Sequence, residues 1–111
     1  MNSLINARNI KKEMKIPDKI QLFGNEIKVV YKQELLDELK FLGQTDISFN
    51  EIRLKLKHEG RIIGQDVLFE NYIHELLHVA IHKLGYEEIA GDETFIEGFS
   101  HLLIQIIKQL K

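Results

Sequence analysis

Cysteine and tryptophan are absent from the 111-residue chain, and proline occurs once. Without cysteine, the chain can form neither a disulfide framework nor a metal site with thiolate ligands. No apolar stretch reaches the roughly 20 residues that a membrane-spanning helix requires, and the N-terminus lacks the apolar run of a signal peptide. These absences predict a cytoplasmic protein that has no membrane partner.

A strong excess of charge of one sign is also lacking. The formal net charge is -2 and the sequence pI is about 6.2. A nucleic-acid-binding domain normally has a basic face, so we expect no nucleic-acid partner. The hydrophobic fraction of 44% is ordinary for a globular protein. The length suits one domain over residues 1–111, with residues 1–19 as a candidate N-terminal extension.

The first half of the chain has the patterns of short helices and strands. A weak apolar stripe predicts a short helix over residues 2–15, closed by Pro17 because the residue before a proline is disfavoured in a helix. Residues 20–23 and 26–31 flank Gly24-Asn25, and this order predicts a hairpin with a two-residue turn.

A second helix and two more strands are predicted further along. Leucines at helical spacing predict a helix over residues 33–42 that ends at Gly43. Residues 45–49 are a strand candidate. Residues 52–57 alternate strictly between apolar and basic side chains, which predicts a half-buried edge strand. Glu59-Gly60 marks the next break.

Two long amphipathic helices are predicted to complete the chain. The first extends from about Asp66, a candidate N-cap, to Leu84, and Gly85 stands where a glycine C-cap belongs. The second begins with Asp92 as N-cap and extends to about Leu110. This order predicts an α+β fold, in which a small antiparallel sheet from the N-terminal half packs on the two C-terminal helices.

The last helix is apolar on more than one side. This pattern fits a helix buried in the centre of the domain, and it equally fits a helix with a dimer face. Periodicity alone does not separate the two. The apolar residues concerned are Phe95, Phe99, Leu102, Leu103, Ile106 and Ile107.

The first long helix contains His74-Glu75-Leu76-Leu77-His78, which is the pattern H-E-x-x-H. Helical residues four apart share a face, so His74 and His78 project two imidazoles toward one ion. Glu75 is rotated by about 100° and can reach a bound water without displacing a ligand. In metallopeptidases this pattern supplies two zinc ligands and a general base. The plainer interpretation, two histidines on an ordinary amphipathic helix, is less favoured because an apolar stripe beside them borders the core.

A catalytic zinc site needs a third protein ligand and an open position for water. His82 lies about 12 Å from His74 along the helix axis, too far for one ion to bridge. The metzincin arrangement would need a histidine where Leu84 stands. We therefore predict a carboxylate from the last helix, with Glu93 as the third ligand and Glu97 as the alternative. The residues of the C-terminal part that could supply this ligand are His82, Glu87, Glu88, Asp92, Glu93, Glu97 and His101.

Three further roles follow from that choice. Glu97 is placed to accept a hydrogen bond from the outer nitrogen of a ligand histidine and to orient its ring. His101, one turn on, is a candidate for stabilising the transition state, although a histidine without a role fits equally well. Tyr72 and Tyr86 are candidate oxyanion donors, but such residues more often simply pack.

These residues resemble the motifs of the gluzincin metallopeptidases. His74 to His78 is similar to their first motif, and Asp92-Glu93-Thr94-Phe95-Ile96-Glu97 is similar to their second, Asn/Asp-Glu-x-x-x-Asp. The resemblance implies a ligand at Glu93 and places Glu97 where the family has an aspartate. More narrowly, residues 72–108 resemble small phage- or prophage-encoded metallopeptidases, loosely related to the ImmA/IrrE-type proteins, in which an edge strand lines the cleft.

The sequence thus predicts a zinc metallopeptidase that acts on a peptide or protein substrate. His74, His78 and Glu93 would bind Zn²⁺, and Glu75 would act as general base. The strand at residues 52–56 would hold an extended substrate by edge pairing. The alternative is a catalytically silent, zinc-stabilised protein-binding module of phage or prophage origin. A third hypothesis is a metal-free helical interaction protein.

Overall fold

The computed structural model describes residues 15–110. The helix predicted over residues 2–15 therefore lies, apart from its last residue, outside the described residues. Strands precede the two long helices, which confirms the α+β fold. None of the helices within residues 15–110 combines the length and the apolar character that a membrane-spanning helix needs. The elements are β1 (Lys19–Leu22), β2 (Asn25–Tyr31), α1 (Gln33–Leu39), β3 (Gly43–Asp46), β4 (Glu51–Leu54), β5 (Lys57–His58), β6 (Arg61–Ile62), α2 (Gln65–Lys83), α3 (Glu87–Ala90) and α4 (Glu93–Gln109).

The main sheet is mixed, with the strand order β1-β2-β4-β3. The outer pairs are antiparallel, whereas β2 and β4 run parallel, with Val29 opposite Ile52. The prediction of a wholly antiparallel sheet was wrong because β2 and β4 are not joined by a hairpin. Instead, α1 and β3 lie between them in the chain and return it in the direction of β2.

The strand predicted at residues 52–57 is not at an edge. β4 lies between β2 and β3, and its apolar residues Ile52 and Leu54 are fully buried. Arg53 is accommodated because its guanidinium bonds Glu51, Gln44 and Asp46 on the other face of the sheet. The basic residue thus marks a cross-strand ion network, and the edge strands of the sheet are β1 and β3.

Of the three hairpin turns in the described residues, the two that join β1 to β2 and β5 to β6 use two successive residues with positive φ. The first turn is Phe23-Gly24, with φ of 50° and 78°, so it begins one residue earlier than predicted and Asn25 already belongs to β2. The second is Glu59-Gly60, at the predicted break, with φ of 51° and 78°. Positive φ at both central residues is the requirement of the type I′ turn, which matches the twist of paired strands.

The predicted helix and strand around residue 43 both shift. α1 ends at Lys40, which adopts the left-handed conformation with φ of 60°, rather than running on to Leu42. Gly43 is consequently not a helix cap but the first residue of β3, which begins two residues before the predicted strand.

The long helices begin and end largely as predicted. The Asp92 side chain caps α4 by accepting a hydrogen bond from the Phe95 amide at 3.1 Å. Gly85, with φ of 95°, ends α2, and its N–H bonds the His82 carbonyl while the Tyr86 N–H bonds that of Ile81. This bonding is the Schellman pattern. The N-cap of α2, however, is Gly64, and Asp66 lies in the first turn.

The core lies between one face of the sheet and α2, and it continues between α2 and α4. Its members come from alternate positions of the strands and from the inner faces of α2 and α4, as the two periodicities require. They include Ile27, Val29, Ile52 and Leu54 from the sheet, Leu68, Tyr72, Ile73, Leu77, Val79 and Ile81 from α2, and Ile96 and Ile104 from α4.

An ion pair between a buried lysine and a half-exposed aspartate anchors α1 to the end of β4. Lys55 is 1% exposed, and its Nζ lies 3.0 Å from Asp37 Oδ1. The pKa of Asp37 is held below its ordinary value, first by the hydrogen bond from Gln33 and then by that from Lys55. A buried ammonium without its partner costs free energy of folding. The pair therefore contributes more to stability than its half-exposed carboxylate suggests.

We expect Asp37→Asn to lower the melting temperature at pH 7. A carboxylate whose pKa is lowered on folding stabilises the fold above its unfolded pKa and loses that contribution as the pH falls through the folded value. The gap between wild type and variant should therefore close below pH 3.8, the ordinary aspartate value. Thermal unfolding followed by circular dichroism from pH 7 to below that value measures it. A gap that persists in acid would contradict the ion pair as its cause.

Candidate metal centre

Two imidazoles project from one side of α2. His74 and His78 are one helical turn apart, their ring centroids lie 4.9 Å apart, and their Nε2 atoms are separated by 3.2 Å. The side chains of His74 and His78 are 15% and 14% exposed, respectively. The two nitrogens are therefore accessible at the rim of the core, which is where the spacing of four residues places them.

α4 brings a carboxylate to the same point. Glu93 is the first residue of α4, fixed there by the Asp92 cap, and its Oε1 lies 2.7 Å from His78 Nε2 while its Oε2 lies 3.1 Å from His74 Nε2. One atom from each of the three residues lies within 4.8 Å of the others. Two imidazole nitrogens and one carboxylate oxygen form a donor set that could hold a metal ion.

The outer nitrogen of each histidine has its own partner. His78 Nδ1 donates to the Ala90 carbonyl at the end of α3, and His74 Nδ1 lies 3.1 Å from Glu97 Oε2. These contacts fix the ring orientations and leave both Nε2 atoms for a ligand. Glu97 accordingly lies behind His74, where the sequence placed it, and the structure brings Glu93 rather than Glu97 into the metal-binding group.

Glu75 is buried against β3. It is 8% exposed, and the Thr45 hydroxyl lies 2.8 Å from its Oε1, to which it donates, and 3.0 Å from its carbonyl oxygen. Gly43 permits this approach, since a Cβ there would lie 3.1 Å from Glu75 Cγ and Oε2. Burial raises the pKa of Glu75, while the Thr45 bond and the nearby histidines act in the opposite direction.

The candidate centre lies at the junction of two cavities of about 580 and 480 Å³. Phe41, Gly43, Glu75 and Glu93 line both of them. The larger cavity extends past His78 toward α3, and the smaller one extends past His74 along α4. The edge strand β3 borders the two, so an extended chain laid along β3 would pass the three-residue group.

The other sequence candidates lie away from the ligand atoms. His101 Nε2 bonds Glu97 Oε1 at 2.6 Å, so it lies behind Glu97 and lines only the smaller cavity. Tyr72 is buried in the core, and its pKa is raised by that burial. Tyr86 is 60% exposed and lines neither cavity. His82 faces Glu87 at 3.7 Å and stays outside the group.

Sequence reasoning missed three residues that position the site: Gly43, Thr45 and Ala90. The first two lie about 30 positions from Glu75 and reach it only through the packing of β3 on α2. Ala90 acts through its carbonyl group, and any residue type can supply a carbonyl. Of the three, only Gly43 stands out in the sequence. The helical spacing of the leucines before it led to its interpretation as the end of a helix.

We expect Thr45→Val to lower the free energy of unfolding by about 1–3 kcal/mol, because it leaves the buried Glu75 carboxyl without its donor. Thr45→Ser keeps the hydroxyl and is the matched control, with a smaller loss. Urea unfolding at pH 7 compares the two variants. A Thr45→Val variant as stable as wild type would show that the hydrogen bond to Glu75 does not stabilise the site.

Comparison of the chain with protein-family models, with curated proteins and with solved structures finds no match. The gluzincin resemblance therefore depends on the two motifs of this sequence and stays a prediction. The structure itself establishes a narrower point. An α+β domain brings two imidazoles and a carboxylate together beside a buried glutamate, in a group that could hold a metal ion.

Proposed function

We propose that this protein is a zinc-dependent peptidase. The observation that carries the proposal is the pairing of an open three-residue ligand group, His74, His78 and Glu93, with a buried carboxylate, Glu75, at the junction of two cavities. Each part has another explanation by itself. Together they are what metal-assisted hydrolysis of a peptide bond requires.

The donor set supports zinc as the metal. Two neutral imidazoles and one carboxylate are a known ligand set for catalytic zinc, and three protein ligands leave a position open for water. A structural zinc site, by contrast, is closed by four protein ligands. Among residues 15–110, the group that could hold an ion contains three members, and this favours catalysis over a purely structural role.

Bound zinc would supply Lewis-acid activation of a water molecule and of the scissile carbonyl. The chain's own residues would move the proton. Glu75 would accept it from the attacking water and deliver it to the leaving amine. Its buried position against Thr45 holds the carboxylate in one place, and Glu97 and the Ala90 carbonyl keep the His74 and His78 rings from turning.

The substrate that fits this site is an extended peptide or protein segment. β3 is an edge strand of the sheet and borders both cavities, so it takes the role that the sequence assigned to residues 52–56. A chain added to its open edge would be held by main-chain hydrogen bonds, with side chains entering the cavities on either side. Phe41, which lines both cavities and is 47% exposed, would contact those side chains.

We expect about one zinc ion per chain in protein purified without added metal, measured by elemental analysis. Glu93→Ala should weaken zinc binding at least about tenfold, because it leaves only two ligands. Glu88→Ala is the matched control, since Glu88 is an exposed carboxylate on α3 outside the group, and it should keep the metal. A wild-type protein that takes up no zinc, even when zinc is added back, would contradict the proposal.

We expect Glu75→Gln to retain zinc and to lose about 10²- to 10⁴-fold in turnover, because the amide cannot accept the proton of the attacking water. The assay would use a random library of internally quenched peptides with the zinc-loaded full chain. Cleavage as fast as that of wild type would contradict the assigned base. Zinc-loaded wild type that cleaves no peptide would favour the alternative, a catalytically silent zinc-stabilised binding module.

A further inference from the structure

An apolar stripe lies along the outside of α4. It consists of Phe95, Phe99, Leu102, Ile106 and Leu110, which are between 37% and 80% exposed. The spacing of four, three, four and four residues keeps these side chains within about 80° of one another around the helix. The Phe95 and Phe99 rings already pack together, with centroids 5.7 Å apart. Within residues 15–110, no element covers this stripe.

The other faces of α4 are already used. Ile96, Ser100 and Ile104 are buried on the side that packs against α2, and Glu93 and Glu97 point to the candidate metal centre. The charged residues of α4 therefore lie outside the stripe, and its polar flank is formed by uncharged residues such as Gln105. A surface that is apolar with uncharged edges fits another apolar helix and not a charged ligand.

We propose that this stripe binds the stripe of a second copy of the chain, so that two α4 helices pack antiparallel about a two-fold axis. In that arrangement Phe95 faces Leu110, Phe99 faces Ile106, and the two Leu102 side chains meet at the axis, so the surface is self-complementary. α4 starts with acidic residues and has Lys108 in its last turn. These charged side chains lie on other faces of α4, but antiparallel packing pairs the positive end of each helix dipole with the negative end of the other, whereas parallel packing would place like ends side by side.

The size of the stripe suits a weak, specific dimer. The exposed fractions of its five residues correspond to about 500 Å² per copy. A pair that covered all of this area would bury about 1,000 Å² in total, the lower limit for a specific interface. We therefore expect a dissociation constant in the micromolar range, near 10⁻⁵ M to order of magnitude. Since the ligand atoms lie on a different face of α4, the dimer leaves both cavities open, and the proposal does not depend on catalysis.

Sedimentation velocity of the full chain from about 1 to about 100 μM tests the proposal. The wild type should pass from monomer to dimer over this range. Leu102→Glu should weaken the dimer by about 100-fold or more, because two carboxylates would meet at the axis. Gln105→Glu, which adds the same charge on the polar flank of the helix, is the matched control and should dimerise like the wild type.

A charge-swap experiment separates loss of the interface from loss of the fold. Leu102→Glu and Leu102→Lys should each be monomeric alone and should form a mixed dimer when combined, which misfolded chains would not do. A wild type that is monomeric throughout would overturn the proposal and would point to residues 1–14 or another protein as the partner of the stripe. A dimer that survives Leu102→Glu would also overturn it, because its interface would lie elsewhere.

Discussion

The close approach of β3 to α2 at Glu75 is the contact on which the rest of the structure depends. It withdraws a carboxylate from water, which is costly unless a donor replaces the lost hydration. The Thr45 hydroxyl is that donor, and the absence of a side chain at Gly43 makes the room. A slip of one residue in the register of β3 would turn Gln44 toward the helix and remove both features at once. The same contact lays the edge of the sheet beside His74 and His78.

A second set of local signals brings the third ligand to these histidines. The Schellman pattern at Gly85 ends α2, α3 turns the chain back, and the Asp92 cap starts α4. Each feature is a hydrogen-bond solution to a helix end, worth about 1 kcal/mol by itself. Their joint effect is geometric, because they place Glu93 against two imidazoles of the preceding helix. The Ala90 carbonyl, which ends α3, holds His78 at the same time, so the connection is part of the site.

The features that could be predicted from the sequence are those with local causes. This holds for the long helices, the Asp92 cap and the helix end at Gly85. Each depends on residues within a few positions of one another, so the local sequence pattern was sufficient to predict it. The position of β4 inside the sheet depends on which strands pair, and the alternation of apolar and basic residues does not show this. In the sequence, an arginine in a cross-strand ion network looks the same as a basic residue on an exposed edge strand. The group of His74, His78 and Glu93 could be predicted because two of its ligands share one helix and the connection to α4 is short. The contact between Thr45 and Glu75 could not be predicted, since the two residues are 30 positions apart in the sequence.

The position of the ligand group has a further consequence for stability. α4 packs mainly against α2 and α3 and hardly against the sheet, so its docking depends on one apolar face and on the carboxylate contacts at its first turn. Glu93 and Glu97 both end beside His74. An ion held between the two helices would therefore tie α4 to α2, and its binding free energy would contribute directly to folding. In a domain with so small a core, an ion at the proposed site would add to the apolar contacts that hold the last helix against α2.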